Sequence, residues 1–330
     1  MSLASVVTAL GSASGADKWV NLSKAIKTWL DACPTSPKEC DILRASQIGN
    51  LCPREFVLNY WNPAETTSFD WQSMLRMSMG THLHHILQNE ILGPMGVLYG
   101  DWVSQATGEV FTGFYPEPLR MFADGRTPWV YREPVVWDAK YRISGHMDGY
   151  LDTSRVSWLF DNVSKFKRNP LGAITELSKM PLGSLVLLEI KTVGSYGYGG
   201  LTSASDIPDY YKTQAAVYQK LANTPKTLFW FIERDSLNSK TLVYEADASQ
   251  WAKVVSKARL VWESIRDEVL PTAMMSCGSF SDIRAKSCSH AKMCWSNASF
   301  KEYVAKAKLD QPSRAFLDLS GWAFDARDAK

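Results

Sequence analysis

Asp148, Glu189 and Lys191 are the residues of this chain whose types and spacing could do chemistry together. Glu189 and Lys191 flank Ile190 in the run Leu187-Leu188-Glu189-Ile190-Lys191. In a strand alternate side chains face the same way, so a carboxylate and an ammonium share one face while Ile190 points behind. Asp148 closes the run Gly145-His146-Met147-Asp148, which reads as the neighbouring strand. Carboxylates from both strands make an oxygen-rich site for Mg²⁺ or Mn²⁺, and Lys191 is left to orient an attacking water and offset charge on a phosphorane. That is the chemistry of phosphodiester hydrolysis. Asp152, four residues on and on the same expected strand face, is the rival carboxylate. Alone, E-x-K is common and usually marks a solvated strand edge, so its neighbours decide its meaning.

Two helices flank these strands. Trp71 to Leu92 has Met74, Leu75, Met79, Leu83, Ile86 and Leu87 near helical spacing and carries Gly80-Thr81-His82-Leu83-His84-His85. Asp209 to Leu221 reads as a second helix, with Gln214 and Tyr218 on one face. A further helix is expected from Ser46, as N-cap, to about Tyr60, and others over Asp17–Trp29 and Ala248–Val269. Strands are expected in an accessory lobe between Val97 and Tyr115, then at Glu133–Trp137, Tyr141–Asp152, Ser184–Val193, Thr227–Glu233 and Thr241–Glu245, with Pro116–Pro128 as loop.

In chain order G-T-x-x-H, G-x-x-D, E-x-K and Q-x-x-x-Y resemble the motifs of the RecB-like branch of the PD-(D/E)XK nucleases. The resemblance spans roughly 140 residues and implies an α/β fold, the restriction-endonuclease-like core of a mixed sheet flanked by helices. It implies His84 as metal ligand beside Asp148, Glu189 and the backbone carbonyl of Ile190, with His82 and His85 as bystanders. An imidazole softens an oxygen site and favours Mn²⁺ alongside Mg²⁺. Lys191 would be catalytic, and Gln214 and Tyr218 would contact the scissile-strand phosphate or tether Lys191.

Cys52, in Cys52-Pro53-Arg54, resembles the opening of the CRISPR-associated four-cysteine exonucleases and of AddB-type nuclease domains. Those families hold a four-iron, four-sulfur cluster with one cysteine before the nuclease core and three after it, which points here to Cys52, Cys277, Cys288 and Cys294. The pattern departs at one place. The family's C-x2-C-x5-C would put a cysteine at Ala285, whereas the nearest is Cys277, eleven residues before Cys288. A zinc site of Cys288, Cys294, one more cysteine and His290 is the rival. Cys33 and Cys40 read as free thiols of a surface loop.

A chain of 330 residues with 45% hydrophobic content can bury a large core, read here as one elaborated domain. Its parts are 1–132 with the first cysteine and the histidine, 133–247 as nuclease core, and 248–330 as C-terminal helix and cysteines. The insertion at 153–183 is either a solvated loop or a flap whose Lys165, Phe166, Lys167 and Arg168 guide DNA. A formal charge of +2 does not by itself announce nucleic-acid binding. Six cysteines suit a cytosolic metal centre better than a disulfide scaffold. Neither a signal peptide nor a membrane span is expected, and the expected location is cytoplasmic, in the host cell if the protein is viral. No P-loop motor motif occurs. The resemblance implies a metal-dependent exonuclease on single-stranded DNA ends, 5′ to 3′, serving recombination, repair, phage DNA metabolism or CRISPR adaptation, with partners from those systems. The alternatives are a structure-specific or restriction-type endonuclease and a non-catalytic DNA-binding scaffold.

Overall fold

The computed structural model describes residues 40–63, 71–116, 128–152, 155, 185–274, 277–286, 288–296 and 298–324. The helix expected over Asp17–Trp29, Cys33, and Lys165, Phe166, Lys167 and Arg168 of the insertion lie outside the described residues.

In chain order the first elements are β1 (Leu43–Arg44), α1 (Ala45–Ile48), α2 (Pro53–Trp61), α3 (Trp71–His85) and a π-helical turn, Ile86–Leu92. Strands β2 (Leu98–Ser104), β3 (Val110–Phe114), β4 (Trp129–Arg132), β5 (Val135–Asp138), β6 (Ile143–His146), β7 (Gly149–Asp152) and β8 (Leu185–Val193) follow. Then come α4 (Ser195–Gly199), α5 (Asp209–Leu221), β9 (Thr227–Glu233), β10 (Ser239–Tyr244), α6 (Ala248–Arg266), α7 (Ile283–Lys286), α8 (Ala291–Cys294) and α9 (Phe300–Asp310).

The result is a mixed α/β fold. Among the described residues the larger sheet runs β10-β9-β8-β7-β2-β3 with β4 also on β2, and the smaller runs β1-β6-β5. β8 and β9 are parallel, joined by the crossover through α5, and the other pairs of the larger sheet are antiparallel. The strands of 98–114 therefore extend this sheet instead of forming a lobe of their own. The alternation expected at Glu189 holds: Leu188 and Ile190 pack into a core with Trp102 and Leu228, and Leu187 packs into the opposite core with Val217 and Trp262. In that second core α6 lies against α2 and α5, and Trp262 Nε1 donates to the carbonyl of Tyr141 at 2.6 Å.

Two expected elements are each divided. The helix from Ser46 breaks after Ile48 and restarts at Pro53, because a proline without an N–H is tolerated only in a first turn. Ser46 is thus inside α1, whose N-cap is Arg44. The strand from Tyr141 to Asp152 splits at Met147-Asp148: β6 belongs to the smaller sheet and β7 to the larger. Gly149, at φ +140°, makes the turn between them, and a Cβ there would stand 2.5 Å from the Tyr131 hydroxyl. Asp148 consequently sits where the chain changes sheets.

Among the described residues no helix is long and apolar enough to cross a membrane.

Candidate metal and catalytic site

The chain break at Asp148 aims its carboxylate along the edge of β8. Asp148 Oδ2 accepts the backbone N–H of Ile190 at 2.6 Å, and Oδ1 lies 3.3 Å from His84 Nδ1. Because the N–H and C=O of one residue in a strand face the same edge, the Ile190 carbonyl is turned to the Asp148 side as well. His84 comes from the last turn of α3. His82 and His85 are exposed; His82 Nδ1 contacts the Ser78 carbonyl, and His85 bonds Asn89.

Glu133 is the group that the sequence reading missed. It lies in the bend between β4 and β5, held beside Asp148 because Met147 N donates to the Pro134 carbonyl at 2.9 Å. Ligand atoms of His84, Glu133 and Asp148 all fall within 4.8 Å of one another. Gln88, from the π-helical turn, donates to the Asp148 carbonyl at 3.0 Å and to Glu133 Oε1 at 3.2 Å. Gln88 stands four residues past His84, on nearly the same helical face, which is how it reaches the same site. The sequence signal available was slight: a carboxylate before a proline at the head of an expected strand. Asp152, the expected rival, is instead in β7 and pairs with Arg155 at 3.8 Å.

Glu189 is 1% exposed. Its Oε1 meets Lys191 Nζ at 2.5 Å and accepts from Gln214 Nε2 at 2.8 Å, while Oε2 is buried with no hydrogen-bond partner among the described residues. A buried carboxylate oxygen without a donor calls for an ion or a proton. Burial pushes the Glu189 carboxyl up from its ordinary range and Asp148 adds to it, against the pull of Lys191. Glu133 is raised in the same way, by burial and then by Asp148. Burial alone would lower His84, but its contact with Asp148 and that carboxylate's charge raise it. Burial likewise opposes the charge on Lys191, and Glu189 more than restores it. The two carboxylates and the imidazole of His84, Glu133 and Asp148 are a donor set that a divalent cation fits, and Glu189 lies outside that close group.

Gln214 and Tyr218 are buried in α5. Gln214 also donates to the Tyr218 hydroxyl at 3.1 Å, and that hydroxyl donates to the His146 carbonyl at 2.7 Å. Gly145 permits the approach, since a Cβ there would lie 2.4 Å from the Tyr218 ring. Gln214 therefore bonds the same Glu189 oxygen that Lys191 meets, and Tyr218 ties α5 to the end of β6. Beside the group, Thr81, His85, Arg132 and His146 help line a cavity of about 880 Å³ that also includes His84 and Glu133.

Far from this site, Cys52, Cys277, Cys288 and Cys294 line one pocket together with Ala285, Ala291 and Trp295. Cys277 thus stands with the other three despite its spacing, and Ala285 is in the same wall. Cys40 packs elsewhere, on the main core. Arg54 donates to Cys294 Sγ at 3.4 Å and to its carbonyl at 3.3 Å, and its guanidinium lies 5.5 Å from the Trp295 ring centre. A tetrahedral zinc with bonds of ~2.3 Å would draw its sulfurs to ~3.8 Å of one another. Among the described residues no three cysteine sulfurs lie within 4.8 Å. His290 Nε2 is occupied by Asn59 Oδ1 at 2.7 Å.

No family model and no curated protein matches this chain. Among solved structures, that of SSO0001 is similar over 80% of this chain and 91% of its own at 15% identity, with a TM-score of 0.37.

Proposed function

We propose that this chain is a divalent-metal-dependent deoxyribonuclease of the RecB-like PD-(D/E)XK type, acting on single-stranded DNA ends in the 5′ to 3′ direction. The observation that carries the reading is the buried Oε2 of Glu189, without a hydrogen-bond partner among the described residues, set near the His84, Glu133 and Asp148 group and beside ion-paired Lys191. His84, Glu133, Asp148, Glu189 and the Ile190 carbonyl would hold Mg²⁺ or Mn²⁺, which when bound polarises a phosphodiester and lowers the pKa of water. Lys191 places a fixed positive charge where a phosphate gains negative charge, in a setting too dry to weaken it. Gln214 fixes the Glu189 carboxylate from behind, and Tyr218 ties that helix to the end of β6, two residues before Asp148. Gln88 does the same for Glu133 and the Asp148 backbone.

The four cysteines would hold a four-iron, four-sulfur cluster with a structural role. Cys52 and Cys277 are 225 positions apart, so the cluster would join the start of the described fold to its C-terminal turns.

The test is degradation of circular, 5′-blocked and 3′-blocked single strands by anaerobically purified protein. Linear DNA with a free 5′ end should be consumed with Mg²⁺ or Mn²⁺ and spared in chelator. Cleavage of circles at the same rate would make the enzyme an endonuclease, and survival of every strand would refute the nuclease.

A further inference from the structure

Beyond Lys191 the chain makes a tight aromatic loop, Gly194-Ser195-Tyr196-Gly197-Tyr198-Gly199-Gly200, whose Ser195–Gly199 form the single helical turn α4. A cavity of about 600 Å³ opens between this loop and the start of α5, lined by Tyr196, Leu201, Pro208, Tyr210, Tyr211 and Phe231. It adjoins the catalytic group directly, because Lys191 Nζ lies 4.9 Å from the ring centre of Tyr211. Tyr211 is anchored on the core, with Tyr210 at 4.2 Å on its open side and Phe231 at 6.2 Å behind.

The loop is braced at both ends. Lys240 Nζ donates to the carbonyls of Tyr198 and Leu201 at 2.9 and 3.0 Å and sits 4.3 Å from the Tyr198 ring centre. Asp206 accepts from the backbone of Thr202 and Ser203 at 3.0 and 2.8 Å, and Ser195 Oγ donates to Asp235 at 2.8 Å. Within this frame Tyr196 is 99% exposed. A ring so exposed at the rim of a braced cavity is available to a ligand that enters it. The Arg234 guanidinium approaches Gly194 closely enough that a Cβ there would lie 3.1 Å from it, which puts a second cation beside the aromatic wall.

From this we infer that the Tyr196, Tyr210 and Tyr211 cavity is a subsite for one unpaired nucleobase of the DNA strand whose phosphate meets Lys191. The inference rests on the nuclease reading and adds to it a substrate preference. Aromatic walls take any base by its face, flanking cations take the phosphates on either side, and a paired base could not enter. Selectivity for single strands would then be built next to the reaction centre.

The experiment measures binding of fluorescent oligothymidylate to the full chain in chelator, where no cleavage occurs, together with a series of the same oligomer carrying one abasic position. Tyr196→Ala should weaken binding about tenfold and Tyr196→Phe should restore it, as stacking needs the ring and not the hydroxyl. One abasic position should weaken wild-type binding by a similar factor, and at that position Tyr196→Ala should cost nothing more. Intact binding by Tyr196→Ala, or a loss independent of every abasic position, would overturn the subsite and leave the nuclease untouched. Wild-type protein that ignores oligothymidylate would overturn both.

Discussion

Around Glu189 each polar group is held by backbone already fixed in a sheet or a long helix: β8 supplies the glutamate and lysine, α5 the glutamine, and the β6 to β7 turn the aspartate. The four cysteines come instead from the residue before α2 and from short turns after residue 276, where α7 and α8 are four residues each. The first region takes its order from extended secondary structure, and what a bound ion would add is relief of crowded carboxylates and chemistry. The second has little secondary structure of its own, and what a ligated group would add is connection. The same element type, metal, would therefore serve function in one place and folding in the other.

The largest effect is expected at the cysteines. Closing a loop as long as that from Cys52 to Cys277 stabilises by ~5 kcal/mol in the chain-entropy model, so Ser at Cys52, Cys277, Cys288 or Cys294 should bleach brown anaerobic protein and lower its unfolding free energy, read from urea denaturation, by a comparable amount. Ala285 sharpens the case, because it shares the pocket wall with Cys277. Adding Ala285→Cys to Cys277→Ser should return colour and stability. Stoichiometric zinc without iron would break this half of the comparison.

At the carboxylate site, Lys191→Met should lower turnover at least a hundredfold, ~3 kcal/mol, with the circular dichroism spectrum unchanged. Glu133→Gln should be milder, weakening Mn²⁺ binding by ~10-fold as loss of one supporting ligand does, read by titration calorimetry.

The smallest effects are the pH slopes, and the two regions should differ in sign. Glu133 and Glu189 are raised above the ordinary 4.5, so in chelator their contribution to stability is whole below that value and is lost as pH rises through their folded values. His290, beside the cysteine turns, is lowered by burial from 6.5 to about 4, so its contribution is whole above 6.5 and is lost as pH falls toward 4. Urea midpoints against pH should show Glu189→Gln gaining on wild type as pH rises, and His290→Gln gaining as it falls. Equal slopes in both variants would show that neither group titrates in its described surroundings.

How much of this was legible in the sequence follows from the range of the forces involved. The period of two at Leu187–Lys191 and the helical period at Asp209–Leu221 are local, and both elements were readable close to their ends. The split at Gly149 depends on a hydroxyl from Tyr131, a contact no spacing records. Glu133 was hidden for the same reason, since its neighbours Asp148 and Gln88 come from other elements. Gln88 stands four residues after His84, so helical counting does put it on the histidine's face. Cys277 was doubtful by spacing and is placed by the turn that brings residues 277 and 285 to one wall.

The central claim concerns the buried glutamate, and cleavage of end-labelled single-stranded DNA by wild type and Glu189→Gln, side by side with Mn²⁺, tests it most directly. Gln keeps the shape and can still bond Gln214 and Lys191 but offers no anionic oxygen to a cation. The account predicts cleavage by wild type and a loss of at least ~100-fold in the variant, with DNA binding retained. Wild-type rates from Glu189→Gln would contradict it.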